Sequence, residues 1–108
     1  IVFLTARVGS ISDNELGGWY SYRSSKSALN MMISNFSIEL QRANQENIVI
    51  GMHPGTVKSN LSEPFLRHVK HNVFSPKESV ELMLQVISKI NHKDSGKCFD
   101  FSGKVIDP

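Results

Sequence analysis

Tyr20-Ser21-Tyr22-Arg23-Ser24-Ser25-Lys26 sets a phenol, Tyr22, four residues before an ammonium, Lys26. On a helix, residues four apart share a face, so the two side chains are placed to meet. A phenol titrates near pH 10, and turning it into a proton donor and acceptor near neutrality takes about 4 kcal/mol. A cation about 4 Å away supplies roughly that much at an effective dielectric of about 20, and only about 1 kcal/mol in bulk water. Such a pair is an acid/base device only inside a water-poor cleft. Elsewhere it is a packed ring beside a solvated charge. Tyr20, six residues from Lys26, falls off that helical face and ranks as a substrate-loop residue.

On the N-terminal side stands a short apolar run, Ile1 to Leu4, the pattern of a parallel strand buried on both faces. Residues 5 to 21 are rich in Ser, Gly, Asp and Asn, with Gly17-Gly18 as a breaker, and form a loop over the C-terminal edge of the sheet, where open α/β sheets bind ligands. A helix from about Ser21 to Ala43 follows. It carries two apolar sets, Leu29, Met32, Ile33, Phe36 and Leu40, then Ala28, Met31 and Ile38, and both faces ask for burial, with Met31-Met32 as core filler. After a polar turn, Ile48 to Ile50 makes the next buried strand, stopped by His53-Pro54-Gly55. Asn60 to Phe74 reads as a mobile lid with a small amphipathic helix. Ser75 then caps a helix with Pro76 at its first position and Glu78 three residues after the cap, followed by the stripe Val80, Leu82, Met83, Val86, Ile87 and Ile90. Asp94-Ser95-Gly96 turns the chain into a last strand, Cys98 to Phe101.

The chain has 108 residues, 40% of them hydrophobic, and a net charge of +2 with acids and bases interspersed. That is one domain at most, with no basic stripe for nucleic acid. The lone Cys98 has no internal disulfide partner and reads as a small strand residue, which points to a reducing, cytoplasmic compartment. No apolar run approaches the roughly 18 residues of a membrane span. His68 and His71 have a metal-like spacing but no third ligand nearby and read as solvated; His53 can hydrogen-bond across the sheet edge; Asn30 packs or caps locally. The sequons at Asn35 and Asn60 are set aside for the same compartment.

The order of strand, serine-bearing loop, Tyr-x-x-x-Lys helix, strand and Pro-Gly turn resembles the C-terminal half of the short-chain dehydrogenases/reductases. The wordings Ala6-Arg-Val-Gly-Ser-Ile-Ser-Asp-Asn14, Gly17-Gly-Trp-Tyr-Ser-Tyr-Arg-Ser-Ser-Lys-Ser-Ala-Leu-Asn30 and His53-Pro-Gly-Thr-Val57 are most similar to the branch of the C-factor-like proteins and the sniffer-type carbonyl reductases. The resemblance covers essentially the whole chain. It implies a three-layer α/β fold of the Rossmann type, of which these residues supply the later strands while a glycine-rich cofactor half lies upstream.

The implied activity is NAD(P)-dependent reduction of a small carbonyl compound, or oxidation of the alcohol, with NADPH as the preferred cofactor and a homo-oligomer as the full-length state. Tyr22 is then the general acid, and Lys26 supports it and binds the nicotinamide ribose. The oxyanion donor is open to more than one residue. The family pattern ends its strand in two small hydroxyl residues, and this chain has Thr5-Ala6. Ser10, twelve residues before Tyr22, takes the role, with Thr5 in reserve and Ser12 third; the plain alternative is that Ser10 serves a loop turn. Pro54, Gly55, Thr56, Val57 and Ser59 are the implied turn along the nicotinamide, with the Val57 backbone and the Ser59 hydroxyl as its contacts. The rival reading is a non-enzymatic C-factor-like signalling or interaction protein. Residues 1 to 108 alone are expected to show neither reductase activity nor cofactor binding.

Overall fold

The computed structural model describes residues 1–108. Three strands, β1 (Val2–Leu4), β2 (Ile50–His53) and β5 (Cys98–Asp100), run parallel, and β6 (Val105–Ile106) closes the far edge antiparallel in the order β1-β2-β5-β6. Helix α1 (Tyr20–Arg42) connects β1 to β2, and α2 (Pro76–Ile87) precedes β5. The short strands β3 (Thr56–Val57) and β4 (Val73–Phe74) form a separate parallel pair.

Period-2 alternation along β2 and β5 sends successive side chains to opposite faces, which makes two cores. On one face Val49, Cys98 and Ile106 join Ile33 of α1, with Phe3, Leu29, Phe36 and Leu40 around them. On the other, Ile50, Met52 and Phe99 pack against Met83, Val86, Ile87 and Ile90. Gly51 lies at the centre of the sheet, where a Cβ would come within 2.6 Å of Cys98 Sγ. The result is the three-layer, Rossmann-type α/β arrangement expected from the sequence.

Helix α1 stops where expected, since Asn44 takes a left-handed φ of 53° and Gln45 N–H closes back onto Leu40 O. Helix α2 starts as its sequence directs, with Glu78 N–H donating to Ser75 Oγ at 3.2 Å and Pro76 in the first turn.

Several expectations are corrected. Strand β1 is not buried on both faces: Val2 and Leu4 share the α2 side of the sheet with their register partners Ile50 and Met52, but α2 does not reach them and both are exposed. Met31 and Met32 are not core filler, being 62% and 65% exposed. They and Ile38 lie off the one stripe of α1 that meets the sheet, because a single flat sheet surface can cover only one side of a helix. Val80 likewise leaves the α2 stripe for solvent. The second strand runs from Ile50 to His53 rather than over Ile48–Ile50, because pairing continues until Pro54 removes the donor. The last strand ends at Asp100, and the turn after it returns the chain as β6, which the sequence reading lacks. The loop over residues 5–21 is shorter than expected: Arg7–Gly9 forms a 3-10 turn and α1 already begins at Tyr20.

Candidate active site

The C-terminal ends of β1, β2 and β5 lie along one edge of the sheet, and the chain leaves each end into a polar segment. Helix α1 starts at this edge, so its first turns carry Tyr22 and Lys26 over the end of β1. The ammonium of Lys26 lies 5.7 Å from the centroid of the Tyr22 ring, and its only hydrogen bond is a 3.4 Å contact with Leu4 O. Helical spacing predicts this meeting, and the structure contains it. An ammonium has three protons, so Lys26 keeps donors for a ligand. Tyr22 is 44% exposed. Tyr20 is more exposed still, at 84%.

The entry to α1 is unusual. Gly17, Gly18 and Trp19 all have positive φ (65°, 69° and 52°), and Trp19 occupies the N-cap position without a side-chain cap hydrogen bond. A tryptophan in the left-handed region costs about 1–2 kcal/mol relative to glycine, which the surroundings must offset. Its ring does so in part, tilted against Tyr22 at 6.2 Å and against Phe65 at 5.2 Å between centroids. Phe65 belongs to a 3-10 segment, Glu63–His68, in the stretch expected to be a lid.

The hydroxyl candidates are not brought onto the Tyr22 hydroxyl by any hydrogen bond, and their protons are differently committed. Thr5 Oγ1 donates to Asn30 Oδ1 at 2.5 Å, and Asn30 also accepts from the buried Cys98 thiol at 3.4 Å. Asn30 therefore does not serve locally as expected: it ties α1 to the residue after β1 and to β5. Ser12 Oγ donates to Pro108 O at 2.6 Å. Ser10 is buried and accepts from Asp13 N–H at 3.1 Å, the local turn of the plain reading. Its own proton meets only Ser12 Oγ at 3.4 Å. A hydroxyl carries one proton. Of the three, Ser10 alone has not spent it on a short bond. The 3-10 turn that delivers Ser10 is pressed onto α1: Ser27 Oγ donates to Gly9 O at 2.7 Å, and a Cβ on Gly9 would lie 2.8 Å from the Lys26 carbonyl carbon.

Pro54, Gly55, Thr56, Val57 and Ser59 follow β2 at the same edge. Gly55 has φ 79°, and a Cβ there would strike Phe74 at 2.8 Å. Pro54 O accepts from the buried Ser79 Oγ of α2 at 2.7 Å. Val57 O accepts from Ser62 Oγ at 2.5 Å, and Ser59 Oγ exchanges hydrogen bonds with Ser62. Thr56 Oγ1 is 2.6 Å from His71 Nε2, so His71 has a protein partner despite its exposure.

Three polar residues here escaped the sequence reading or were read differently. Arg7 reaches across the end of β2 to Asp100 Oδ2 at 2.7 Å and to Asp13 at 3.4 Å. Burial pushes the Asp100 carboxyl up, but hydrogen bonds from Ser102 Oγ and the Lys104 and Ser102 amides, with the Arg7 charge, outweigh it and hold the group below the usual carboxylate range. An Asp two residues before Ser102-Gly103 is a turn signal that the sequence could have offered, and the Ser102 amide donates to Asp100 Oδ1. Arg7 had none, its partner being 93 residues away. His53 makes no bond across the sheet edge: its Nδ1 is buried without a partner. Burial, then the Arg7 charge, lowers its pKa from 6.5 to about 4. Arg7, His53, Thr56, His71 and Asp100 line a cavity of about 410 Å³ between the sheet edge and β4.

No protein-family model matches the chain. Among curated proteins it is 34% identical over 106 residues to the C-signal protein of Myxococcus xanthus, a match covering 98% of this chain and 59% of the relative. Among solved structures it superimposes on an NADPH-bound carbonyl reductase from chicken fatty liver with a TM-score of 0.82 at 32% identity, over 100% of this chain and 42% of that one. The carbonyl reductase Sniffer of D. melanogaster gives a TM-score of 0.82 at 30% identity, over 100% of this chain and 40% of the other. The chain thus spans 40% to 59% of the length of these relatives. Sequence and backbone agree along the whole chain, and common descent accounts for that agreement: the chain is homologous to these proteins and resembles the C-terminal half of a short-chain dehydrogenase/reductase.

Proposed function

We propose that these residues form the catalytic part of an NAD(P)-dependent oxidoreductase that reduces a small carbonyl compound or oxidises the corresponding alcohol. The carrying observation is the Lys26 ammonium held over the Tyr22 ring at the sheet edge. Tyr22 donates its phenolic proton to the carbonyl oxygen in reduction and recovers it in oxidation. Lys26 keeps positive charge beside the phenol and has protons to spare for a ribose hydroxyl. Ser10, with its proton uncommitted to any short bond, supplies a second donor to the developing oxyanion. The Pro54–Gly55 turn, Thr56, Val57 and Ser59 lie along the nicotinamide, whose chemistry when bound is to supply or take up the hydride. The donor set fits such a group: Lys26 has unspent N–H bonds, and Gly55 keeps side-chain bulk out of the turn.

NADPH is the proposed cofactor, supported by the NADPH of the chicken liver reductase. On this reading the chain is the C-terminal part of a single Rossmann domain whose glycine-rich half binds the pyrophosphate. A homo-oligomer would cover the exposed Met31, Met32 and Ile38 of α1, and the unpaired, buried Cys98 fits a cytoplasmic setting. In the full-length protein, Tyr22→Phe is expected to lower carbonyl reduction at least about 100-fold with little change in cofactor affinity. Near-normal turnover in that variant would remove Tyr22 from the mechanism and bring Tyr20 back.

The likeness to C-signal supports a second reading, an interaction or signalling protein that uses the same fold through its surface. Loss of turnover with full partner binding in Tyr22→Phe favours it.

A further inference from the structure

In the cavity between the end of β2, β4 and the end of β5, spare hydrogen-bond donors outnumber spare acceptors. It has a volume of about 410 Å³, within the range of small-molecule sites, and it shares Gly55 and Thr56 with the proposed nicotinamide turn, while Tyr22, Lys26 and Ser10 take no part in its wall. Asp100 is the only carboxylate in that wall. Its Oδ1 accepts from the Ser102 hydroxyl at 2.7 Å and from the Ser102 and Lys104 amides at 2.9 and 3.0 Å, and its Oδ2 accepts from Arg7 at 2.7 Å. Four bonds fill a carboxylate. A guanidinium has five N–H bonds, and Arg7 gives one to Asp100 and one to Asp13, which leaves the rest for a ligand. His53 Nδ1 has no partner, and the Thr56 contact uses only Nε2 of His71. The field has the same sense, since at His53 the charge of Arg7 outweighs that of Asp100. An ion pair that merely clamped the Arg7–Gly9 turn to β5 would account for Arg7 and Asp100. It would leave the cavity and the two imidazoles in its wall without a reason.

We propose that this cavity is a subsite for a small oxyanion, the carboxylate or phosphate group of a ligand, held by Arg7 with His71 and Asn72 beside it. Filled acceptors and unspent donors select a group that accepts hydrogen bonds and has none to donate. A guanidinium offers such a group paired, charge-assisted N–H bonds in one plane. The anion's charge also favours a protonated His53, which burial and Arg7 otherwise keep neutral. The oxyanion arrives either as the far end of a carbonyl substrate whose reacting end is at Tyr22, or as a free anion. The first route rests on the oxidoreductase reading above; the second stands without it.

The test uses the full-length protein saturated with NADPH, so that phosphate cannot occupy the cofactor's own sites. Inorganic phosphate is titrated against chloride at matched ionic strength, with the His53 ring protons followed by NMR. Phosphate is expected to shift those signals saturably and to raise the His53 pKa from about 4 toward 6.5, and chloride to do neither. Arg7→Met should weaken phosphate about 10-fold or more, and His71→Leu by less. Should Arg7→Met fail to fold, the exposed His71→Leu and the wild-type ring signals decide. Steady-state kinetics then compare 4-oxobutanoate with butanal, which has a methyl group in place of the carboxylate. An Arg7→Met that raises KM for 4-oxobutanoate about 10-fold and holds butanal within about 2-fold assigns the subsite to the substrate. Arg7-dependent phosphate binding with equal KM changes for both carbonyls assigns it to a free anion. Unmoved His53 signals with no preference between the carbonyls overturn the inference, as does phosphate binding that survives both substitutions. Arg7-dependent phosphate binding in a protein that reduces neither carbonyl sinks the enzyme reading and keeps the subsite. Equal reduction of both carbonyls without phosphate binding does the reverse.

Discussion

Tyr22 and Lys26 are held together by a single turn of one helix, whereas the hydroxyls that would assist them are held by contacts reaching far along the chain. Thr5 is fixed by Asn30, 25 residues on, Ser12 by Pro108, 96 residues on, and the Arg7–Gly9 turn by Asp100 and by the Gly9 contact with α1. The helix-borne half of the site is built wherever the helix forms. The loop-borne half exists only once the sheet edge, the turn after β5 and α1 are all in place. The first half therefore answers to changes of side-chain chemistry, and the second also to changes of packing and charge some distance away.

Tyr22→Phe bears on this contrast with the largest expected effect, the loss of at least about 100-fold in turnover given above, with the fold intact because Tyr22 is half exposed and its hydroxyl makes no intramolecular bond. An unfolded variant would show that the helix-borne half is less self-sufficient than its local geometry implies. Next come the hydroxyls. Ser10→Ala is expected to lower turnover roughly 10 to 1000-fold, and Thr5→Val much less, since Thr5 has spent its proton on Asn30. Single-turnover rates with saturating cofactor decide it; a damaging Thr5→Val with a mild Ser10→Ala would move the oxyanion donor to the end of β1.

Gly9→Ala tests packing without touching any proposed catalytic atom. The new methyl would lie 2.8 Å from the Lys26 backbone and from Asn30 Nδ2, so the 3-10 turn must lift off α1 at a cost of about 2–3 kcal/mol in stability. Urea denaturation should show that loss, and activity should fall through the Ser10 side while cofactor affinity holds. A neutral Gly9→Ala would mean that the two halves of the site are not pressed together.

The smallest expected effect is on pH. His53 titrates at about 4 in the fold and near 6.5 unfolded, so the unfolded chain binds the extra proton in between. Stability is then fully present above pH 6.5 and is lost as pH falls toward 4. By linkage the loss is about 2 kcal/mol at pH 5 relative to pH 7.5. The groups facing the ring are Arg7, Asp100 and His71; Arg7 and His71 oppose its protonation and Asp100 favours it. Denaturation midpoints across that range should flatten in His53→Leu, and an unchanged slope would remove His53 as the source of the acid sensitivity.

The sequence by itself determined the elements whose causes are local. The Tyr22–Lys26 spacing, the stop at Pro54, the Ser75–Pro76 helix start and the alternation through Cys98 and Phe99 each act within a few residues, and each is present in the structure. Only the tertiary structure decided matters settled between distant segments. It took Leu29, Ile33, Phe36 and Leu40 of α1 for the sheet and left Met31, Met32 and Ile38 in water, splitting Met32 from its expected set, because one sheet surface covers one side of a helix. It left Val2 and Leu4 uncovered because α2 stops short of β1. It brought Arg7 to Asp100 beside the unpartnered His53, stood Trp19 against Phe65, and fixed which of three hydroxyls makes no short bond with its proton. Those outcomes depend on distances between residues far apart in the chain, and such distances are set by the packing of whole elements rather than by any stretch of residues read alone.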